Sequence, residues 1–177
     1  MLLFCCRAVL SNLLPSVALT TFCGRMYVQN LWHTGFCLSF RREVMDQMGG
    51  LLEVGVLGSG DHHCFSCIAG KGGETCNRQL HPNYRAAVLA WQDRATRFIQ
   101  GDLGFVPGTI MHNFHGPKAN RKYHTRWEIL VRHQFDPLED VTKNTQGVLE
   151  LTSSKHGLRD DIRRYFDQRN EDGLGSD

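Results

Sequence analysis

Three things are missing from this sequence. No apolar run is long and unbroken enough to span a membrane, which needs about 20 consecutive apolar residues. The most apolar stretch, the first 24 residues, is interrupted by Arg7 and Pro15 and has no basic lead-in. Residues 1–25 therefore read as an irregular apolar segment, a buried strand or helix among its options, with a secretory signal as the lesser alternative. Charge of one sign is not in excess either: 20 Lys and Arg stand against 18 Asp and Glu, a formal net charge of +2. That argues against a protein coated for nucleic acid, while leaving room for a local basic patch. A disulfide framework is the third absence. The seven cysteines are odd in number and irregularly spaced, so most read as reduced thiols and the expected compartment is cytoplasmic. No internal repeat or low-complexity block is present.

What remains is an ordinary globular composition, 41% hydrophobic and 21% charged over 177 residues, enough for one domain with its own core. Residues 26–172 carry that domain and 173–177 a frayed tail. Met26–Trp32 and His33–Phe40 mix aromatic and small residues as strands or their approaches do. Arg41–Met48 has helical composition, with Val44, Met45 and Met48 at core spacing and Gly49-Gly50 to stop it. Lys71–Leu80 reads as a loop. From Pro82 to Ile99 the period is helical, with Val88, Leu89, Trp91, Ala95, Phe98 and Ile99 largely on one face. Leu103–His112 reads as two short extended pieces broken at Pro107-Gly108. Tyr123–Arg132 follows as a helix with Trp127, Leu130 and Val131 inward, and Phe135-Asp136-Pro137 ends it. Val148–Leu151 has strand character. Leu158–Arg169 is an amphipathic helix with Leu158, Ile162, Tyr165 and Phe166 on its apolar side. Alternation of this kind favours an α/β or α+β domain, a short mixed sheet with flanking helices.

Gly49–Gly70, GGLLEVGVLGSGDHHCFSCIAG, is the stretch with the most chemistry in it. A Gly-Ser-Gly turn delivers Asp61, His62 and His63 to the start of a second apolar run. Glycine permits positive φ and close approach of a ligand. Asp61 is then either the cap of a helix or a carboxylate presented to a cleft as a general base. Three other clusters stand beside it. His112 and His115, three apart, can share a metal, and the Gly-Pro-flanked loop makes His115 the freer ring. Lys118, Arg121 and Lys122, with Arg126 a turn later, make a basic loop suited to phosphate groups, or simply a solvated face. Cys64-x-x-Cys67 and Cys76 form a structural zinc site with His62 or His63, or else act as small buried hydrophobes. No second CxxC exists, and the helical setting favours packing.

Taken in order, the blocks HTGFCLSFRREVMDQMGGLLEVGVLGSGDHH, HPNY, HNFHGPKANRKY, FDPLEDV and YFDQRNEDG resemble the acceptor-side half of GT-A type nucleotide-sugar glycosyltransferases. The layout is similar to the galactosyltransferase-like C-terminal region and to glycosyltransferase-like proteins of phage and bacteria. The resemblance covers Trp32 to Asp172. It implies that Asp61 deprotonates an acceptor hydroxyl, such as that of a carbohydrate. It also implies that His115 or His112 holds a divalent metal, Mn²⁺ or Mg²⁺, on the donor diphosphate, and that Lys118 and Arg121 neutralise the departing nucleotide.

The sequence also departs from that pattern. Such enzymes open with a nucleotide-binding half ending in Asp-x-Asp, and none occurs before Asp61. The expectation is therefore an incomplete GT-A-like domain, either inactive alone or completed by a separate donor-binding half. No nucleic acid partner and no membrane span are expected. Two other functions compete. A metal-binding interaction module would use the Cys and His clusters structurally, and a small metal-dependent nuclease would use His112, Asn113 and His115 beside the basic loop.

Overall fold

The structure, a computed structural model, describes residues 38–105, 116–152 and 154–171, together with the backbone of the strand Leu2–Phe4. It is a mixed helical and sheet protein: the described residues hold five α-helices and two small sheets. They fall into two compact units. Met1–Thr75 with Val88–His112 makes the first, and Cys76–Ala87 with Asn113–Asp177 the second.

In the first unit, β1 (Leu2–Phe4) lies between β2 (Leu38–Ser39), antiparallel to it, and β3 (Leu103–Phe105), parallel to it. The register pairs Leu3 with Ser39 on one side and with Gly104 on the other. The sheet is thus short and mixed, as the sequence suggests. Helix α1 (Arg42–Met48) ends where Gly49 turns left-handed at φ 76°. Gly49 N–H donates to Asp46 O and Gly50 N–H to Met45 O, the paired bonds of a glycine stop.

Helix α2 (Gly60–Ile68) buries His63, Cys64, Phe65, Ser66 and Cys67 in succession. Helix α3 (Pro82–Ile99) supplies the long wall, with Val88, Trp91, Ala95 and Ile99 buried at helical spacing. Two of its side chains hold the end of α1. Trp91 Nε1–H donates to Gly50 O at 3.0 Å and Arg94 Nε–H to Met48 O at 2.7 Å.

A 3-10 turn, Gly72–Thr75, fills part of the segment expected to be a plain loop. Gly72 N–H donates to Gln92 Oε1 at 2.7 Å, and a Cβ on Gly72 would stand 2.3 Å from Cys67 Sγ. The Gly72→Ala variant is therefore expected to lose about 1–3 kcal/mol of stability in denaturant titrations, the usual penalty of overpacking. Adding Cys67→Ala, which removes the clashing sulfur, should make the double variant less unstable than the sum of the two.

The second unit contains α4 (Trp127–Arg132), α5 (His156–Asp167) and a hairpin of β4 (Val141–Lys143) with β5 (Leu149–Leu151). Asn144 makes the hairpin turn, its Oδ1 accepting from Gln146 N–H and Val148 N–H, while Gly147 adopts φ 77°. Leu80, Tyr84, Leu130, Phe135, Leu158 and Tyr165 are buried. Tyr84 meets Trp127 and Phe135 edge-on at 6.2 and 6.4 Å, and burial pushes its phenol pKa up. Asp140, also buried, accepts from Asp136 N–H at 2.8 Å and pairs with Lys155 at 3.1 Å.

Three expectations need correction here. The helix expected over Tyr123–Arg132 begins only at Trp127. Lys122 is left-handed at φ 45°, and its carbonyl accepts from Thr125 N–H at 3.1 Å and Arg126 N–H at 2.9 Å, a separate turn before the α-helix starts. Val141–Lys143 is a strand that was not expected, paired with the one that was. Phe166 is 42% exposed rather than inward, its ring 5.1 Å from Tyr165 and 5.3 Å from the Arg169 guanidinium. The expected strand at Met26–Trp32, the approach at His33–Cys37 and the Pro107-Gly108 break lie outside the described residues, as does most of the 1–25 segment.

Asp161 ties α4 to α5. Its Oδ2 meets His133 Nε2 at 2.8 Å and Arg132 at 3.1 Å, and its Oδ1 meets Arg164 at 2.7 Å. The His133 hydrogen bond first, then the charges of His133, Arg164 and Arg132, hold its carboxyl below the ordinary 3.8 against the opposing effect of burial. A carboxyl depressed on folding adds stability that is complete above its unfolded pKa and is lost as pH falls through the folded value. Acid unfolding of the Asp161→Asn variant, followed by circular dichroism, should therefore lose part of the slope that the wild type shows below about pH 4.

Candidate active site

Asp61 sits at the end of a backbone turn that few sequences could make. Gly58 is left-handed at φ 99° and Ser59, which is not glycine, at φ 65°. A Cβ on Gly55 would crowd Gly58 O at 3.1 Å and Gly60 N at 3.2 Å. A non-glycine residue held left-handed costs about 1–3 kcal/mol, and such strain concentrates at functional sites. Ser59 holds the cap position of α2 without a side-chain cap bond, so Asp61 is not the cap but a first-turn residue, half-buried. Its bland role is to complement the helix N-terminus, worth about 0.3–1 kcal/mol. The turn sets this carboxylate two residues ahead of the buried run 63–67.

That helix is anchored by a polar network which the sequence does not advertise. Thr75 Oγ1 donates to Gly72 O at 2.6 Å and lies 2.6 Å from Nδ1 of the fully buried His63. The hydroxyl has one proton, and a carbonyl can only accept it. Nδ1 of His63 therefore carries a hydrogen and donates it to Thr75. Ser66 Oγ donates back to His62 O at 2.7 Å, within α2.

The described cysteines are packed. Cys64 and Cys67 are buried, Cys67 Sγ donates weakly to Val88 O at 3.5 Å, and Cys76 is buried in the second unit. Burial pushes the Cys64 thiol up and the Asp61 charge adds to this, although a backbone bond at Leu52 opposes them. A raised thiol is a poor metal ligand and a poor nucleophile. No cluster of three or more His, Cys, Asp or Glu able to hold a metal occurs among the described residues. His112 and His115, the expected metal pair, lie outside them.

Lys118 and Arg121, the expected diphosphate cations, share one 3-10 turn, Lys118–Arg121, in the second unit. Lys118 is exposed. Arg121 is not: its side chain is 15% exposed, pairs with Glu171 at 3.5 Å and donates to Tyr123 Oη at 3.3 Å. The turn is clamped onto the end of α5. Tyr165 Oη donates to Arg121 O at 3.0 Å, and Asn120 Nδ2 to Arg169 O at 3.3 Å. Gly116, left-handed at φ 87°, has no room for a side chain, since a Cβ would lie 2.9 Å from Arg169 O. Two blocks far apart in sequence, GPKANRKY and YFDQRNE, are thus one packed structure.

No family model, curated protein or solved structure matches this chain. Function must be argued from its own residues. No helix among the described residues is long and apolar enough to cross a membrane. Sequence reasoning missed Thr75, Gln92 and Asp161, polar residues whose partners lie on other elements and leave no periodic signature.

Proposed function

We propose that this chain is a glycosyltransferase-like domain that moves a sugar from a nucleotide-sugar to an acceptor hydroxyl. It would do so either alone or with a separate donor-binding half. The observation that carries the reading is the seat of Asp61, a half-buried carboxylate following a strained Gly-Ser-Gly turn, in the first turn of a helix whose residues 63–67 are buried. In this reading Asp61 takes the proton from the acceptor oxygen as that oxygen attacks the anomeric carbon. The bond from that carbon to the donor diphosphate breaks, and negative charge builds on the leaving phosphate. A divalent cation, when bound, stabilises that charge; by the resemblance, His115 or His112 would hold it and Lys118 and Arg121 would add positive charge. Arg121 would have to share its guanidinium between Glu171 and the nucleotide.

The test is calorimetric titration of the full chain with a nucleoside diphosphate. Binding should need Mn²⁺ or Mg²⁺, weaken about tenfold or more in His115→Ala, and weaken less in Lys118→Gln. Binding that ignores both the metal and His115 would remove the metal-assisted reading.

A further inference from the structure

The recess between α4 and α5 is cationic, and its floor is built rather than solvated. Arg126 is only 6% exposed, with its guanidinium 5.1 Å from the Tyr123 ring centre, 5.7 Å from that of Trp127, and Nη1 3.5 Å from Tyr165 Oη. On the rim, Arg132 and Arg164 converge on the single carboxylate of Asp161. At the other end Lys122 spends its ammonium on a neutral acceptor, Gln168 Oε1 at 2.7 Å. Four cations line the recess against two carboxylates, Asp161 and Glu128, an excess of two positive charges. The two guanidiniums, 63% and 64% exposed, share that carboxylate with His133, so it offsets no more than half of their charge. A guanidinium can bind two oxygens of an oxyanion at once.

We propose that this recess is a binding site for the phosphoryl group of a small ligand. Its volume, about 190 Å³, decides the size class. Pockets that enclose drug-sized molecules run to about 300–1,000 Å³. This one takes a phosphate or diphosphate group, with any organic part left outside. The site uses Lys122, Arg132 and Arg164 at its rim and is separate from the role given to Lys118 and Arg121. It does not rest on the glycosyltransferase reading.

The test follows amide and arginine side-chain resonances of the labelled full chain. Inorganic phosphate, pyrophosphate and a hexose phosphate are added without divalent metal, at constant ionic strength. Saturable shifts at Lys122, Thr125, Arg164 and Gln168 are expected. Tighter binding of the hexose phosphate would assign the site to a phosphorylated metabolite, and equal binding to the free oxyanion. Affinity should fall about tenfold or more in the double variant Lys122→Gln, Arg164→Gln. Both side chains are exposed and thermal unfolding would check the fold. Lys143→Gln, at an exposed residue of the hairpin, should bind as the wild type does. Shifts that never saturate, an unchanged double variant, or an equal loss in Lys143→Gln would overturn the proposal. Because metal is absent, that failure would leave the metal-dependent binding of a nucleoside diphosphate untouched.

Discussion

Replacing Trp91 with alanine is expected to cost about 3–5 kcal/mol of folding stability, the range seen when a buried aromatic is deleted. The site justifies the upper part of that range. Trp91 is 1% exposed and is among the largest fully buried side chains of the first unit. It also donates Nε1–H to Gly50 O, the carbonyl just past the glycine stop of α1. Deletion would leave both a void and a carbonyl without its donor. The Trp91→Phe variant leaves a much smaller void and removes the same donor, whose hydrogen bond is worth about 0.5–1.5 kcal/mol net. Denaturant titrations of the two variants should differ accordingly. A loss under about 1 kcal/mol in Trp91→Ala would mean that α3 does not present this face to the core.

That face was legible in the sequence because helical period is a local signal. Val88, Trp91, Ala95 and Ile99 repeat every three to four residues, and all are buried. Gly49-Gly50 after Met48 was legible for a similar reason, since a left-handed stop there favours glycine. Pairing across distance was harder to read. Nothing local in Leu2–Phe4 says that it will lie parallel to Leu103–Phe105. Val141–Lys143 has only three residues and gains its strand identity from Leu149–Leu151 through the Asn144–Gly147 turn. The exposure of Phe166 escaped for the opposite reason. A helical wheel puts it near Ile162, but an edge-on contact with Tyr165 and the Arg169 guanidinium hold it at the surface.

Of the candidate site, the chemical types were readable but the supports were not. Gly-Ser-Gly-Asp announces a turn delivering a carboxylate. It does not announce that Ser59, rather than Asp61, takes the cap position, nor that His63 points inward to Thr75. Nothing local in the sequence distinguishes Lys118 from Arg121. In the structure one is exposed and the other is tied to Glu171 and Tyr123, a difference set by residues some fifty positions downstream and by the local tyrosine.

Asp61 carries the largest expected effect on activity. An asparagine is nearly the same size and keeps the turn, the helix and one carbonyl oxygen, but it cannot accept the hydroxyl proton. Loss of a general base lowers rates by about 10²–10⁴-fold. Loss of a residue that merely complements a helix N-terminus costs about 0.3–1 kcal/mol of stability and no chemistry. The two roles are therefore separable by measuring turnover and binding on the same preparation. The decisive measurement is the release of nucleoside diphosphate from nucleotide-sugar donors in the presence of Mn²⁺ and acceptor, comparing wild type with Asp61→Asn. With Asp61 as the base, turnover falls by about 10²–10⁴-fold in the variant while nucleoside diphosphate affinity is unchanged. Equal turnover by the two proteins would contradict that role.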